Sequence, residues 1–63
     1  MPFESTLTAD LDEPTRTRLG FTAVGRRLRC TGTEEEVLTA TADLIGTLRE
    51  RGTPVERYSV EAT

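Results

Sequence analysis

The sequence predicts an α+β domain of order β-β-β-α-β, with one amphipathic helix packed on one face of a small antiparallel or mixed sheet. Three observations predict it. Residues 3–11 and 55–62 alternate apolar with polar side chains at period two. Between Arg18 and Thr31, two shorter alternating arms flank Gly25. Residues 33–54 carry a helix start signal, an apolar stripe and a stop signal in the right order. At 63 residues the chain has room for a single domain, residues 1–63.

In the first strand Phe3, Ser5, Leu7, Ala9 and Leu11 point one way and Glu4, Thr6, Thr8 and Asp10 the other. Pro14 ends the alternation, because it lacks a ladder donor and biases Glu13 away from helix. Two readings stay open for residues 12–18: an irregular loop, or one short helical turn capped by Asp12. In the hairpin Leu19, Phe21 and Ala23 share a side on one arm, and Leu28 and Cys30 on the other. Gly25 supplies the tight turn, with Gly25-Arg26 or Val24-Gly25 as its central pair. Arg27, Arg29 and Thr31 take the outer face.

The helix is announced by a capping box. The Thr33 hydroxyl accepts from the backbone N–H of Glu36, and the Glu36 carboxylate returns to the N–H of Thr33. Glu34, Glu35 and Glu36 suit the positive end of the helix dipole, and Arg49 and Arg51 the negative end. Gly52 is placed for a left-handed C-cap, and Pro54 prevents continuation. Val37, Leu38, Thr41, Leu44, Ile45 and Leu48 line one face, with Ala40 and Ala42 at its edges. Gly46 costs about 1 kcal/mol relative to Ala, which points to close backbone packing there. In the tail Tyr58, Val60 and Ala62 alternate with Arg57, Ser59 and Glu61. A parallel pairing of this strand with the one before the helix would make a right-handed crossover. The apolar arc of the helix is wider than one sheet face needs and the core is small. Both lean towards a homodimer, or a partner that completes the core.

Composition excludes several chemistries. One cysteine allows no disulfide within the chain, and the absence of histidine removes the commonest metal ligand and acid–base group. No apolar run approaches the roughly 20 residues of a membrane span. The first residues lack the charge and apolar core of a signal peptide. A soluble, cytoplasmic domain is the expectation. Charged residues make up 30% of the chain and the net charge is −3. All eight basic residues are Arg, and they are unevenly spread. Residues 14–32 hold Arg16, Arg18, Arg26, Arg27 and Arg29 without an acid, inside an otherwise acidic chain.

Candidate reactive groups are few. Cys30 is the only thiol, and on the strand pattern it faces inward with Leu28 as a small hydrophobe. Met1-Pro2 in a chain of this length resembles the 4-oxalocrotonate tautomerases, and that resemblance implies an N-terminal proline amine acting as base. Those enzymes have a long helix straight after the first strand, whereas residues 12–30 here hold Pro14, Gly20, Gly25 and an alternating hairpin pattern. Glu34, Glu35 and Glu36 point about 100° apart on a helix and do not converge on a cation. The segment from Leu28 to Ile45 is similar to the final strand and helix of KH-type RNA-binding domains, at Gly32, Val37, Ala40, Leu44 and Ile45. The resemblance implies RNA held by a Gly-x-x-Gly loop, but Gly25-Arg26-Arg27-Leu28 lacks the second glycine.

The expectation is a non-enzymatic binding module, such as a small regulator, an antitoxin-like protein or an accessory subunit. It would act through an Arg-bearing sheet face (Arg16, Arg18, Arg26, Arg27, Arg29 and Arg57) or a strand edge. Its partner would be a second copy or an acidic protein surface, with no cofactor, metal or membrane. Nucleic-acid binding through the Arg16–Arg29 segment is the alternative. A small enzyme using Cys30 or Pro2 is the third reading.

Overall fold

The computed structural model describes residues 1–63. Its elements are β1 (Pro2–Thr8), α1 (Glu13–Arg18), β2 (Thr22–Val24), β3 (Arg27–Thr33), α2 (Glu34–Glu50) and β4 (Glu56–Ala62). The four strands form one sheet of order β2-β3-β1-β4, antiparallel at every step. The α+β class and the long helix on a small sheet hold. One six-residue helix is added, giving β-α-β-β-α-β.

That helix realises the second reading of residues 12–18. The Asp12 carboxylate accepts from the N–H of Thr15 at 3.1 Å and from its hydroxyl at 2.6 Å. Pro14 then sits in the first turn, where its missing N–H costs nothing. Both helices stop the same way. The N–H of Gly20 donates to Thr17 O and that of Phe21 to Arg16 O; Gly52 donates to Arg49 O and Thr53 to Leu48 O. Each is a Schellman closure, and each needs its left-handed glycine, at φ 86° and 67°. The capping box at Thr33 and Glu36 is present in both directions, at 3.2 and 3.0 Å.

The last strand does not lie beside β3. It pairs with β1, which separates β3 from β4. The chain therefore makes two interleaved split β-α-β units, the arrangement of ferredoxin-like folds. Centring β1 explains its burial: Ser5, Thr6 and Leu7 are all shielded. The hairpin closes on Gly25-Arg26, with Val24 opposite Arg27 and Gly25 at φ 64°. Its first arm is shorter than the alternation predicts, because the end of α1 takes residues up to Arg18.

Leu7, Ala9, Phe21, Leu28, Cys30, Val37, Leu44 and Leu48 form the core between the sheet and α2. Each Leu fully buried there contributes on the order of 2 kcal/mol. The apolar arc of α2 is not all used. Val37, Thr41, Leu44 and Leu48 are buried and Ile45 is half-buried, while Leu38 remains 46% exposed and Ala42 faces solvent. Gly46 also lies on the outside, with nothing within 4 Å of where its Cβ would be, so no close approach accounts for it. No helix is long and apolar enough to cross a membrane.

Candidate interaction surface

The face of the sheet away from α2 is open. Register fixes its rows: Thr22, Arg29, Thr6 and Ser59 lie across one line, Thr31, Glu4 and Glu61 across the next. Val24, Arg27, Thr8 and Glu56 make a third. Arg29 donates from Nε to Glu4 Oε2 at 2.9 Å, and its Nη2 lies 2.7 Å from the same oxygen, a diagonal cross-strand ion pair. Arg27 makes no ion pair. Its neighbourhood is a shallow depression of about 480 Å³ walled by Glu4, Thr6, Thr22, Val24 and Arg29.

The structure disperses the six arginines singled out by the sequence. Arg27 and Arg29 lie on the open face and Arg26 in the hairpin turn, where its Nε donates to Asp10 at 2.7 Å. Arg16 and Arg18 ride on α1. Arg16 Nη1 donates to Phe21 O at 3.2 Å, and Arg18 borders a groove with Glu35, Glu36 and Asp43 of α2. Arg57 is on β4, two strands away from β3. Around the open face Arg27 and Arg29 meet Glu4, Glu56 and Glu61, so charge is mixed rather than basic. Of the linear run of Arg in residues 14–32, Arg26 and Arg29 enter ion pairs with Asp10 and Glu4 and Arg16 bonds a backbone carbonyl, each exposed pair contributing about 1 kcal/mol or less.

The reactive candidates are tied into the fold. Cys30 is buried, and burial, followed by the Glu36 carboxylate, pushes its thiol pKa up. Few of its thiols are therefore ionised at neutral pH. Pro2 begins β1 and its carbonyl accepts from the N–H of Thr63 at 3.0 Å. Glu36 is held below its usual pKa by its bonds to Thr33 and serves the helix cap. The two helices are separated in the chain by the β2–β3 hairpin, so no loop joins one helix directly to the next.

A feature that sequence reading missed stands at the sheet edge. Alternation identified β4 but not its neighbours. β2 closes one edge with only three residues, whereas β4 leaves seven residues free along the other. Thr63 N–H donates to Pro2 O, which sets the antiparallel ladder so that Ser59 and Glu61 bond inward to β1. The N–H and C=O groups of Tyr58, Val60 and Ala62 consequently point away from the sheet. Two residues, Arg57 and Tyr58, oppose the single Leu7, and the bulge puts Arg57 at φ 54°. Helix α2 packs on β1 and β3, and on the helix-side face of β4 Val60 is half-buried against the core. Tyr58 is 51% exposed there.

The helix also keeps apolar surface exposed, at Leu38. At about 100° per residue, Leu38 and Ile45 fall on one flank of α2. Ala40, Asp43 and Thr47 fall on the other, against Arg18 and Leu19 at the end of α1. Tyr58 leaves exposed apolar surface beside the unpaired strand edge, while Val60 and Ile45 are half-buried against the core. No protein-family model, curated protein or solved structure matches this chain.

Proposed function

We propose that this protein is a non-enzymatic interaction module whose working surface is the β4 edge, to which an extended segment of a partner adds as a fifth strand. The observation that carries the reading is the seven-residue edge with its outward N–H and C=O groups at Tyr58, Val60 and Ala62, and with the Tyr58 side chain exposed beside them. Strand addition uses both parts: backbone bonds supply affinity, and alternate side-chain positions supply selectivity. The mixed charge of the open sheet face favours this edge over the arginines as the binding element.

Amide hydrogen exchange tests it. A synthetic peptide of residues 56–62 serves as an added strand and is titrated into isotopically labelled protein. Tyr58, Val60 and Ala62 should gain protection with added peptide or rising protein concentration, while Thr22 to Val24 on the opposite edge do not. Unchanged exchange at all three amides under both conditions would refute the reading.

A further inference from the structure

Resting on that reading of the edge, we propose that the segment β4 accepts is a basic one: an extended stretch of another protein that sets Lys or Arg against Glu61. Register places the side chains of β4. Glu56, Ser59 and Glu61 stand opposite Thr8, Thr6 and Glu4 of β1, so all three lie on the open face. The edge strand therefore shows two carboxylates on that face, and neither has a cation. The ion pairs of the molecule are Arg26–Asp10, Arg29–Glu4 and Arg51–Asp12. Glu61 is also directly across from Glu4, and like charges directly opposite destabilise a sheet. Arg29 reaches Glu4 from the β3 side and leaves Glu61 uncompensated. Arg57, the one cation in β4, sits in the bulge with Tyr58 opposite Leu7 and joins neither carboxylate.

An added strand supplies what the row lacks. Its residue facing Glu61 continues the line Thr31, Glu4, Glu61, with Cβ atoms about 4.5–5.5 Å apart across the new pair. A cation there offsets the acidic pair from the side that Arg29 does not reach. Three positions away the segment turns its other face to the exposed ring of Tyr58, which covers an apolar side chain. The partner segment is thus a Lys or Arg with an apolar residue three positions away. A second copy fits less well, because its β4 brings two acids and one Arg, and each chain carries a net charge of −3. The arginine run in the sequence suggests an acidic partner, but on the open face of this edge the uncompensated charges are acids.

Two end-blocked peptides test the class: Val-Thr-Thr-Lys-Thr-Thr-Val, and the same peptide with Glu at its centre. Each is titrated into isotopically labelled protein at low salt, with amide exchange read at Tyr58, Val60 and Ala62. The Lys peptide should protect these amides at a concentration about tenfold lower than the Glu peptide, since attraction replaces repulsion at one exposed pair. Added salt should shrink that ratio. Glu61→Lys should invert the order of the two peptides. It also relieves the Glu4–Glu61 apposition, so this variant should melt no lower than wild type, which separates altered binding from lost folding. Equal protection by both peptides, or an order unchanged in Glu61→Lys, would overturn the basic class and leave the edge reading standing. Protection that rises with protein concentration alone, with neither peptide adding to it, would give the edge to a second copy and overturn the proposal. No protection from these peptides, from the 56–62 peptide or from concentration would overturn the edge reading itself.

Discussion

Ser5 on β1 and Thr41 on α2 meet across the core with their hydroxyl oxygens 2.7 Å apart, at 0% and 1% exposure. This is a buried polar pair in a domain whose total stability is on the order of 3–5 kcal/mol. Replacing Thr41 by Val keeps the volume and deletes one partner. Ser5 lies in the central strand, and its hydroxyl bonds only to Thr41. Stranding it in the dry interior should cost about 1–3 kcal/mol. Ser5→Ala should cost less, about 1 kcal/mol, because the Thr41 hydroxyl can turn to the carbonyl of Val37 one helical turn back. The double variant replaces both hydroxyls with apolar groups and should fall close to wild type.

Urea unfolding followed by circular dichroism, at about 10 μM to keep self-association out of the comparison, measures all four proteins. Equal slopes license comparison of their midpoints. The cycle should therefore show strong non-additivity, with the double variant more stable than Thr41→Val alone. Additive losses would refute the reasoning, since the hydroxyls would then not depend on each other. A neutral Thr41→Val would mean that Ser5 reaches water.

Gly46→Ala should stabilise the chain by about 1 kcal/mol, because the site is helical, exposed and empty. In a domain of this size that is a rise of roughly 4–8 °C in melting temperature. Asp12 is held well below its ordinary pKa of 3.8 by bonds from Thr15 and Arg51, and Glu36 below 4.5 by Thr33. Their depressed folded-state pKa values add stability above the unfolded values, and it is lost as pH falls through the folded ones. Denaturant titrations below about pH 4.5 should show this decline, and Asp12→Asn, which still caps, should flatten it. Cys30 should react slowly with a thiol reagent in the native state and rapidly in urea; fast native labelling would contradict its burial.

The ends of α2 were legible in the sequence because their determinants are local. Thr33, Glu36, Gly52 and Pro54 act within a few residues of one another, and the structure shows the capping box and closure they imply. Strand faces were legible for the same reason: Leu7 and Leu28 turn inward and Arg27 and Arg29 outward simply by alternation. Helix α1 was legible only as an alternative. Six residues complete less than two turns, too few for an apolar period to rise above its turn-forming neighbours.

By itself, then, the sequence determined the class of fold, the length and caps of the main helix, and which side of each strand is apolar. Tertiary structure alone decided that β4 pairs with β1 rather than β3, and that Ser5 meets Thr41. It also decided that five arginines contiguous in the charge pattern part company between α1, a turn and the open face, and that Tyr58 is left at an unpaired edge. The physical reason is the range of the forces involved. Capping and alternation are set within one turn or one pleat. Strand order is a competition among pairings far apart in the chain, settled by which one lets α2 bury Val37, Leu44 and Leu48 together.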